Sequence, residues 1–296
     1  MTLYTEVSSN RVKTWVYMTL YATLFLAVGA GVSYIYNSPG IFTVVAIFVI
    51  IQGIVSYWYS DSIALLSSGA VAVQRHEAER YYRIMENLTI TAGLPMPRLF
   101  LIPDSAINAF ATGRDPKHAA VAVTAGALNR LDDNELAGVL AHELSHIGNE
   151  DIRLMSMVMV MAGSISLVSN LLFRSFLFGG GRRRNDEEGG LYVMIVYLVL
   201  TILAPIVSLL IQLAISRKRE YMADASGVLL TRYPEGLISA LRKIGSDEEP
   251  MANANQATSH LYIANPFKGG FMSELLSTHP PIEKRIEALE KGSGLA

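Results

Sequence analysis

The 296-residue chain has no cysteine, and only 17% of its residues are charged, where a globular chain carries about a quarter. Each shortage excludes something. Without cysteine there are no disulfides and no thiolate metal sites, so any metal would have to be held by His, Asp or Glu, and the composition suits a reducing compartment. A formal net charge of -2 and a pI near 6.3, with no basic patch interleaved with aromatics, give a nucleic-acid partner no support. The missing charge is replaced by 51% hydrophobic residues and a mean hydropathy of +0.33, which argue against an ordinary soluble protein.

The apolar residues are concentrated. Trp15 to Tyr36 and Ile41 to Tyr59, joined by Asn37-Ser38-Pro39-Gly40, each supply the roughly 20 residues a bilayer requires and read as a helical hairpin. Tyr17, Tyr21, Tyr34, Tyr36, Tyr57, Trp58 and Tyr59 fall toward segment ends, as interfacial anchors do. Arg11 and Lys13 precede the first segment and no small-residue cleavage site closes it, which marks an uncleaved anchor. Leu154 to Phe178 and Leu191 to Ile215 add two further segments around the glycine- and charge-rich residues 179–190, for four expected spans. The third carries Asn170, Arg174, Gly163, Ser164, Ser166 and Ser169, a content suited to helix packing partly within protein rather than to lipid alone. If every span crosses, Arg11, Lys13 and the basic residues between Arg75 and Arg153 and after Arg217 share one side. The positive-inside rule makes that side the cytoplasm, with Arg182 to Arg184 as the exception.

The expected organisation is a transmembrane hairpin (1–60), a first soluble part (61–153), a second transmembrane pair (154–215) and a second soluble part (216–296). Gln74 to Ala92 reads as an amphipathic helix stopped at Gly93, Arg98 to Ile102 as a strand, and Asn108 to Thr112 with Ala119 to Thr124 as a hairpin. Asp132 with Glu135 forms a capping box that starts a helix ending near Gly148. Ile215 to Val228, Pro234 to Ile244 and Ile282 to Leu289 read as further helices, while Met251 to Phe271 carries no clear pattern.

Within the capped helix stands His142-Glu143-Leu144-Ser145-His146. Leu136, Val139, Leu140, Leu144 and Ile147 recur at helical spacing, so the two histidines lie one turn apart on one face, where they can chelate zinc at roughly 2.0–2.1 Å. Glu143 is then placed as a general base toward water on the metal, the arrangement of a metallopeptidase. A catalytic zinc uses three protein ligands, so one is missing. Glu220 is the strongest candidate, its competing reading being an interfacial charge paired with Arg217 or Lys218. Asp224, one turn on, suits the second ring nitrogen of a ligand histidine, with His142 favoured, or else an ordinary helix ion pair. His279, before Pro280-Pro281, is a candidate oxyanion donor, or a plain loop histidine. His76, His118 and His260 read as surface or local hydrogen-bonding residues.

Taken together, the His142 to His146 motif, Arg217 to Asp224, Asn108 to Gly113 and Ser277 to Pro281 resemble the HtpX membrane metalloproteases over nearly the whole chain. The resemblance implies a mainly α membrane protein, four transmembrane helices with an α+β zincin-like metallopeptidase domain holding a small sheet. It implies one Zn2+ on His142, His146 and Glu220, catalytic Glu143, and endoproteolysis of misfolded or damaged membrane proteins from the cytosolic side of the cell membrane. It also implies that Asn108, Ala109, Phe110 and Ala111 form an edge strand that pairs with extended substrate. A prenyl-protein peptidase shares the ligand set, and a membrane scaffold with structural zinc is the alternative of another class; the latter would need a fourth protein ligand.

Overall fold

The computed structural model describes residues 3–35, 37–179, 217–252, 257–267 and 280–294. The expected fourth span (191–215), most of the 179–190 stretch, Tyr36 and His279 lie outside them.

The chain opens with two long helices, α1 (Leu3–Ile35) and α2 (Pro39–Trp58), the second started by proline at its first position, where a missing N–H costs nothing. Within them Val7–Tyr34 and Pro39–Trp58 are long and apolar enough to cross a membrane, and they are the two such helices among the described residues. Helix α3 (Ser60–Ser67) and strand β1 (Val71–Ala72) lead into α4 (Glu79–Ala92). The sequence reading began α4 five residues early. Gln74 to Ala78 instead forms a turn, in which the backbone N–H of Gln74 donates to the Glu77 carboxylate at 2.7 Å. Gly93 ends α4 in the left-handed region at φ 65, the conformation glycine adopts at least cost.

Strands β2 (Arg98–Ile102), β3 (Ala109–Gly113) and β4 (Ala119–Thr124) follow, then α5 (Ala125–Arg130). The sheet order is β1-β2-β4-β3; β2 and β4 are parallel, and β3 pairs antiparallel with β4 in the register Ala109↔Val123 to Gly113↔Ala119. The hairpin is as expected; the two-residue β1 was not foreseen. Because strand side chains alternate faces, Val121, Val123, Ala109 and Ala111 pack toward α4 and α6 (Asp133–Gly148), while Ala120, Ala122, Phe110 and Ile102 pack toward α3 and α7 (Asp151–Gly179). One small sheet thus packs on α4 and α6 with one face and on α3 and α7 with the other.

The capping box at α6 is complete: Asp132 Oδ1 accepts from the Asn134 and Glu135 N–H groups, both at 2.9 Å, and Glu135 Oε2 accepts from the Asp132 N–H at 2.8 Å. After the short corner Asn149–Glu150 the chain turns into α7, which packs against both α1 and α2. Its first half is buried mainly through apolar residues from Ile152 to Met161, while of the small and polar residues that suggested burial Gly163 and Ser164 are half-buried and Asn170 and Arg174 are exposed. Gln52 Nε2 donates to the Val160 carbonyl at 3.2 Å, and the Tyr21 hydroxyl bonds Ser164 Oγ at 2.9 Å. Tyr21 is therefore no interfacial anchor: it is stacked on Phe25 within this helix contact, whereas Tyr34, Trp58 and Tyr59 are exposed. Three helices complete the described chain: α8 (Arg217–Thr231), α9 (Pro234–Ser246) and α10 (Ile282–Ser293). The patternless 251–271 region contributes a short 3-10 turn and a bridge, Tyr262 to Phe110 on the edge of β3.

Candidate active site

Helix α6 is buried along almost its whole length, so the face carrying His142, Glu143 and His146 meets protein rather than water. Helix α8 lies against that face. Gly227 makes the approach possible: a Cβ there would sit 3.0 Å from the His142 nitrogen and 3.2 Å from the Ala141 carbonyl carbon. One and two turns before Gly227, α8 presents Asp224 and Glu220. His142, Glu143, His146, Glu220 and Asp224 are each between 1% and 4% exposed.

The two Nε2 atoms of His142 and His146 are 3.2 Å apart; Glu220 Oε2 lies 3.8 Å from the first and Glu220 Oε1 3.6 Å from the second. The three possible ligand atoms fall within 4.8 Å of one another. The other face of each ring is engaged by a carboxylate. Asp224 Oδ1 is 2.9 Å from His142 Nδ1, and Asp151 Oδ2 is 3.1 Å from His146 Nδ1. Proton donation to those carboxylates uses Nδ1, so both Nε2 lone pairs and a Glu220 oxygen converge on one buried point. A tetrahedral zinc with ligands at roughly 2.0–2.1 Å holds adjacent donors about 3.3 Å apart, so the histidine pair fits such an ion.

Charge follows the geometry. Burial alone would lower both imidazoles. It prevails at His142, against its Asp224 bond and with help from the charge of Arg285; at His146 the Asp151 hydrogen bond and the charges of Glu220, Asp151 and Glu143 outweigh it and raise the group to about 9. The same negative surroundings would favour a divalent cation at the two Nε2 atoms, where it would take the place of the second proton of His146. Burial pushes Glu143 up to about 7, assisted by Glu220 and opposed by His146 and a backbone N–H of Ala111. Glu143 Oε1 is buried without a hydrogen-bond partner among the described residues. Asp224 sits at about 2 despite burial, because Arg285 faces it with two bonds, 2.8 Å from Nε and 2.6 Å from an Nη.

Sequence reasoning brought forward His142, Glu143, His146, Glu220 and Asp224, and the fold places all five together. It missed two supporting groups. Arg285 is fully buried on α10, bonds Asp224 and donates to the Ile263 carbonyl at 2.7 Å, with no local pattern to announce it. Asp151 lies just past α6, where Glu150 takes φ 55 and swings the chain back to His146; an acidic residue five after the second histidine was the available signal. Asn108 and Ala109, expected at a substrate edge, are engaged within the protein. Asn108 Nδ2 donates to the Ala264 carbonyl at 3.0 Å, and the Ala109 carbonyl accepts from the Ile263 N–H at 2.9 Å, so the 262–264 segment covers the start of the β3 edge. Phe110 packs edge-on against Tyr262, and the Ala111 N–H faces Glu143. His260 is no surface residue: it is buried, 3.1 Å from the Met155 carbonyl, while His118 pairs locally with Asp115.

A buried histidine pair, a converging glutamate and a glutamate beside them, on a scaffold with two membrane-length helices, define a membrane-associated metallopeptidase. Peptidase family M48 matches residues 75–293, and the chain belongs to that family. It is 42% identical over 294 residues to the protease HtpX homolog of Thermoanaerobacter pseudethanolicus, covering 98% of this chain and 97% of that one. It is 43% identical over 296 residues to that of Lactobacillus acidophilus, covering 97% and 99%. Among solved structures, the crystal structure of S. mikatae Ste24p matches with a TM-score of 0.51 at 21% identity, over 94% of this chain and 67% of that one, a likeness of fold. The expectation of a membrane protease of the HtpX kind, a metalloendopeptidase, therefore holds.

Proposed function

We propose that the protein is a zinc-dependent, multi-pass endopeptidase of the cell membrane that hydrolyses misfolded or damaged membrane proteins from the cytoplasmic side, in membrane-protein quality control. The observation that carries this reading is the convergence of His142 Nε2, His146 Nε2 and Glu220 beside the buried carboxylate of Glu143, whose Oε1 has no partner among the described residues. His142, His146 and Glu220 would hold one zinc ion per chain. When bound, zinc supplies a Lewis acid for the scissile carbonyl and acidifies water from a pKa of 15.7 to about 7.

The chain's own groups account for the remainder. Asp224 and Asp151 fix the rings through Nδ1, so that Nε2 points inward at each histidine. Glu143 takes a proton from the attacking water and returns it to the leaving amine. The Ala111 N–H holds that carboxylate in place on the side of β3. An extended substrate pairing along Asn108 to Ala111 would have to displace the 262–264 segment that covers the start of the β3 edge, and backbone recognition of this kind tolerates many sequences. His279 is retained as the candidate oxyanion donor. The four-span arrangement rests on the sequence: α7 packs on α1 and α2 but is not one of the two described helices long and apolar enough to cross a membrane, and the fourth span lies outside the described residues.

The test is cleavage of an unfolded membrane protein by the purified chain, with chelator and then restored zinc, beside the variant Glu143→Gln. Chelation should abolish cleavage and zinc restore it, while Glu143→Gln should keep zinc and lose at least ~10²-fold in rate. Unchanged cleavage by Glu143→Gln contradicts the mechanism. Preference for a prenylated over an unmodified peptide would move the assignment to a prenyl-protein peptidase.

A further inference from the structure

The membrane helix α1 does more than anchor the chain. Its Asn10 is 1% exposed and reaches the corner between α6 and α7 with both amide hydrogens, donating to Asp151 Oδ1 at 2.7 Å and to the Asn149 carbonyl at 3.0 Å. Its amide orientation is dictated by these partners. Turned over, the Asn10 oxygen would face a carboxylate and a carbonyl, so the N–H side must point to them, and Oδ1 is left buried with no hydrogen-bond partner among the described residues. An unpaired buried acceptor is costly, a penalty the two donated bonds must outweigh.

Asp151 is itself fully buried and divides its oxygens. Oδ2 faces His146 Nδ1 at 3.1 Å, while Oδ1 takes Asn10 and lies 3.4 Å from an Arg219 nitrogen of α8. A carboxylate free to rotate would hold the imidazole loosely; one pinned at its far oxygen presents the near one in a single direction. The histidine so oriented is one of the converging pair. A second tie joins the same elements without touching Asp151: Arg11, the next residue on α1, pairs with Glu150.

We infer that Asn10 is a positioning residue, which acts through Asp151 to orient the His146 ring for metal binding, so that the first membrane helix contributes a side chain to the support of the metal site. The inference rests on His142, His146 and Glu220 holding a metal. The experiment measures, on the full chain in detergent, zinc affinity by competition with a chromophoric chelator and the visible spectrum of the cobalt-substituted protein. Asp151→Asn should weaken zinc about 10- to 100-fold, as loss of a ligand's supporting partner does. Asn10→Ala should weaken it several-fold and change the cobalt spectrum, Asn10→Asp should weaken it further through like-charge contact, and Asn10→Ala should add little once Asp151→Asn is present. Should Asp151→Asn fail to fold, Asn10→Ala alone still decides.

Arg11→Gln cuts the neighbouring tie and should leave affinity and spectrum close to those of the unaltered protein. The inference is overturned if Asn10→Ala matches the unaltered protein in both readouts, if Arg11→Gln weakens zinc equally, or if the effects of Asn10→Ala and Asp151→Asn simply multiply. A His142→Ala variant that binds zinc as tightly as the unaltered protein would overturn the metal-site reading itself, and this inference with it.

Discussion

Gly227 lies against the backbone of His142, so close that a methyl group on it would come within 3.0 Å of the His142 nitrogen. The neighbour is helix backbone, which cannot rotate aside. Helix α8, which carries Glu220 and Asp224, sits where it does because this position has no side chain. Gly227→Ala should push α8 outward, destabilise the protein by about 1–3 kcal/mol and lower its zinc affinity. Thermal unfolding with and without zinc, compared with zinc competition, checks both effects. Unchanged stability and affinity would show that α8 is not held by this contact.

Glu135 ties the start of α6 to α9. Burial works to raise its carboxyl, but hydrogen bonds from Lys243 and Ser239 and from the Asp132 N–H more than offset it, and the pKa is lowered. Asp247 is lowered likewise by the Ile107 N–H and Arg130. A carboxyl with a depressed folded pKa binds protons more readily once unfolded. Its stabilisation is therefore complete above the unfolded value, about 3.9–4.3 for Asp and Glu, and is lost as pH falls through the folded one. Unfolding followed from pH 7 to pH 3 should show stability falling on the acid side. Glu135→Gln should reduce stability at pH 7 by about 1–2 kcal/mol and flatten the acid limb; a limb equally steep in that variant would assign it elsewhere.

Because the chain has no cysteine, single introduced thiols report its orientation without background. Asn37→Cys, between α1 and α2, should react with a membrane-impermeant maleimide added to intact cells. Lys117→Cys, on the turn between β3 and β4, should react only after permeabilisation. The reverse pattern would place the histidine pair outside the cytoplasm.

How much of this was legible in the sequence followed from range. The capping box, the Gly93 stop, the β2 strand, the β3–β4 hairpin and the His-Glu-x-x-His face are written within a few residues of one another, and each stands where the pattern put it. Glu220 and Asp224 could be singled out because they share a helix face just after an apolar segment. Arg285 could not, since only the packing of α10 brings it from 143 positions away to the His142 ring. Asp151 needed the left-handed corner at Glu150, and Asn10 needed the α1 contact, neither of which periodicity encodes. Tyr21 looked like an interfacial anchor because composition cannot tell lipid from a neighbouring helix. The start of the β3 edge looked open because the 262–264 segment that covers it carries no strand pattern.

The central claim is that the metal site closes only when α8 brings Glu220 to the two histidines of α6. The direct measurement is zinc per chain in purified full-length protein and in Glu220→Gln, equilibrated at the same buffered free zinc. The account predicts about one zinc per chain for the unaltered protein, by the three-ligand rule for catalytic zinc, and a large loss for Glu220→Gln, whose side chain has the same shape without the charge. Equal zinc content and affinity in the two proteins would contradict it.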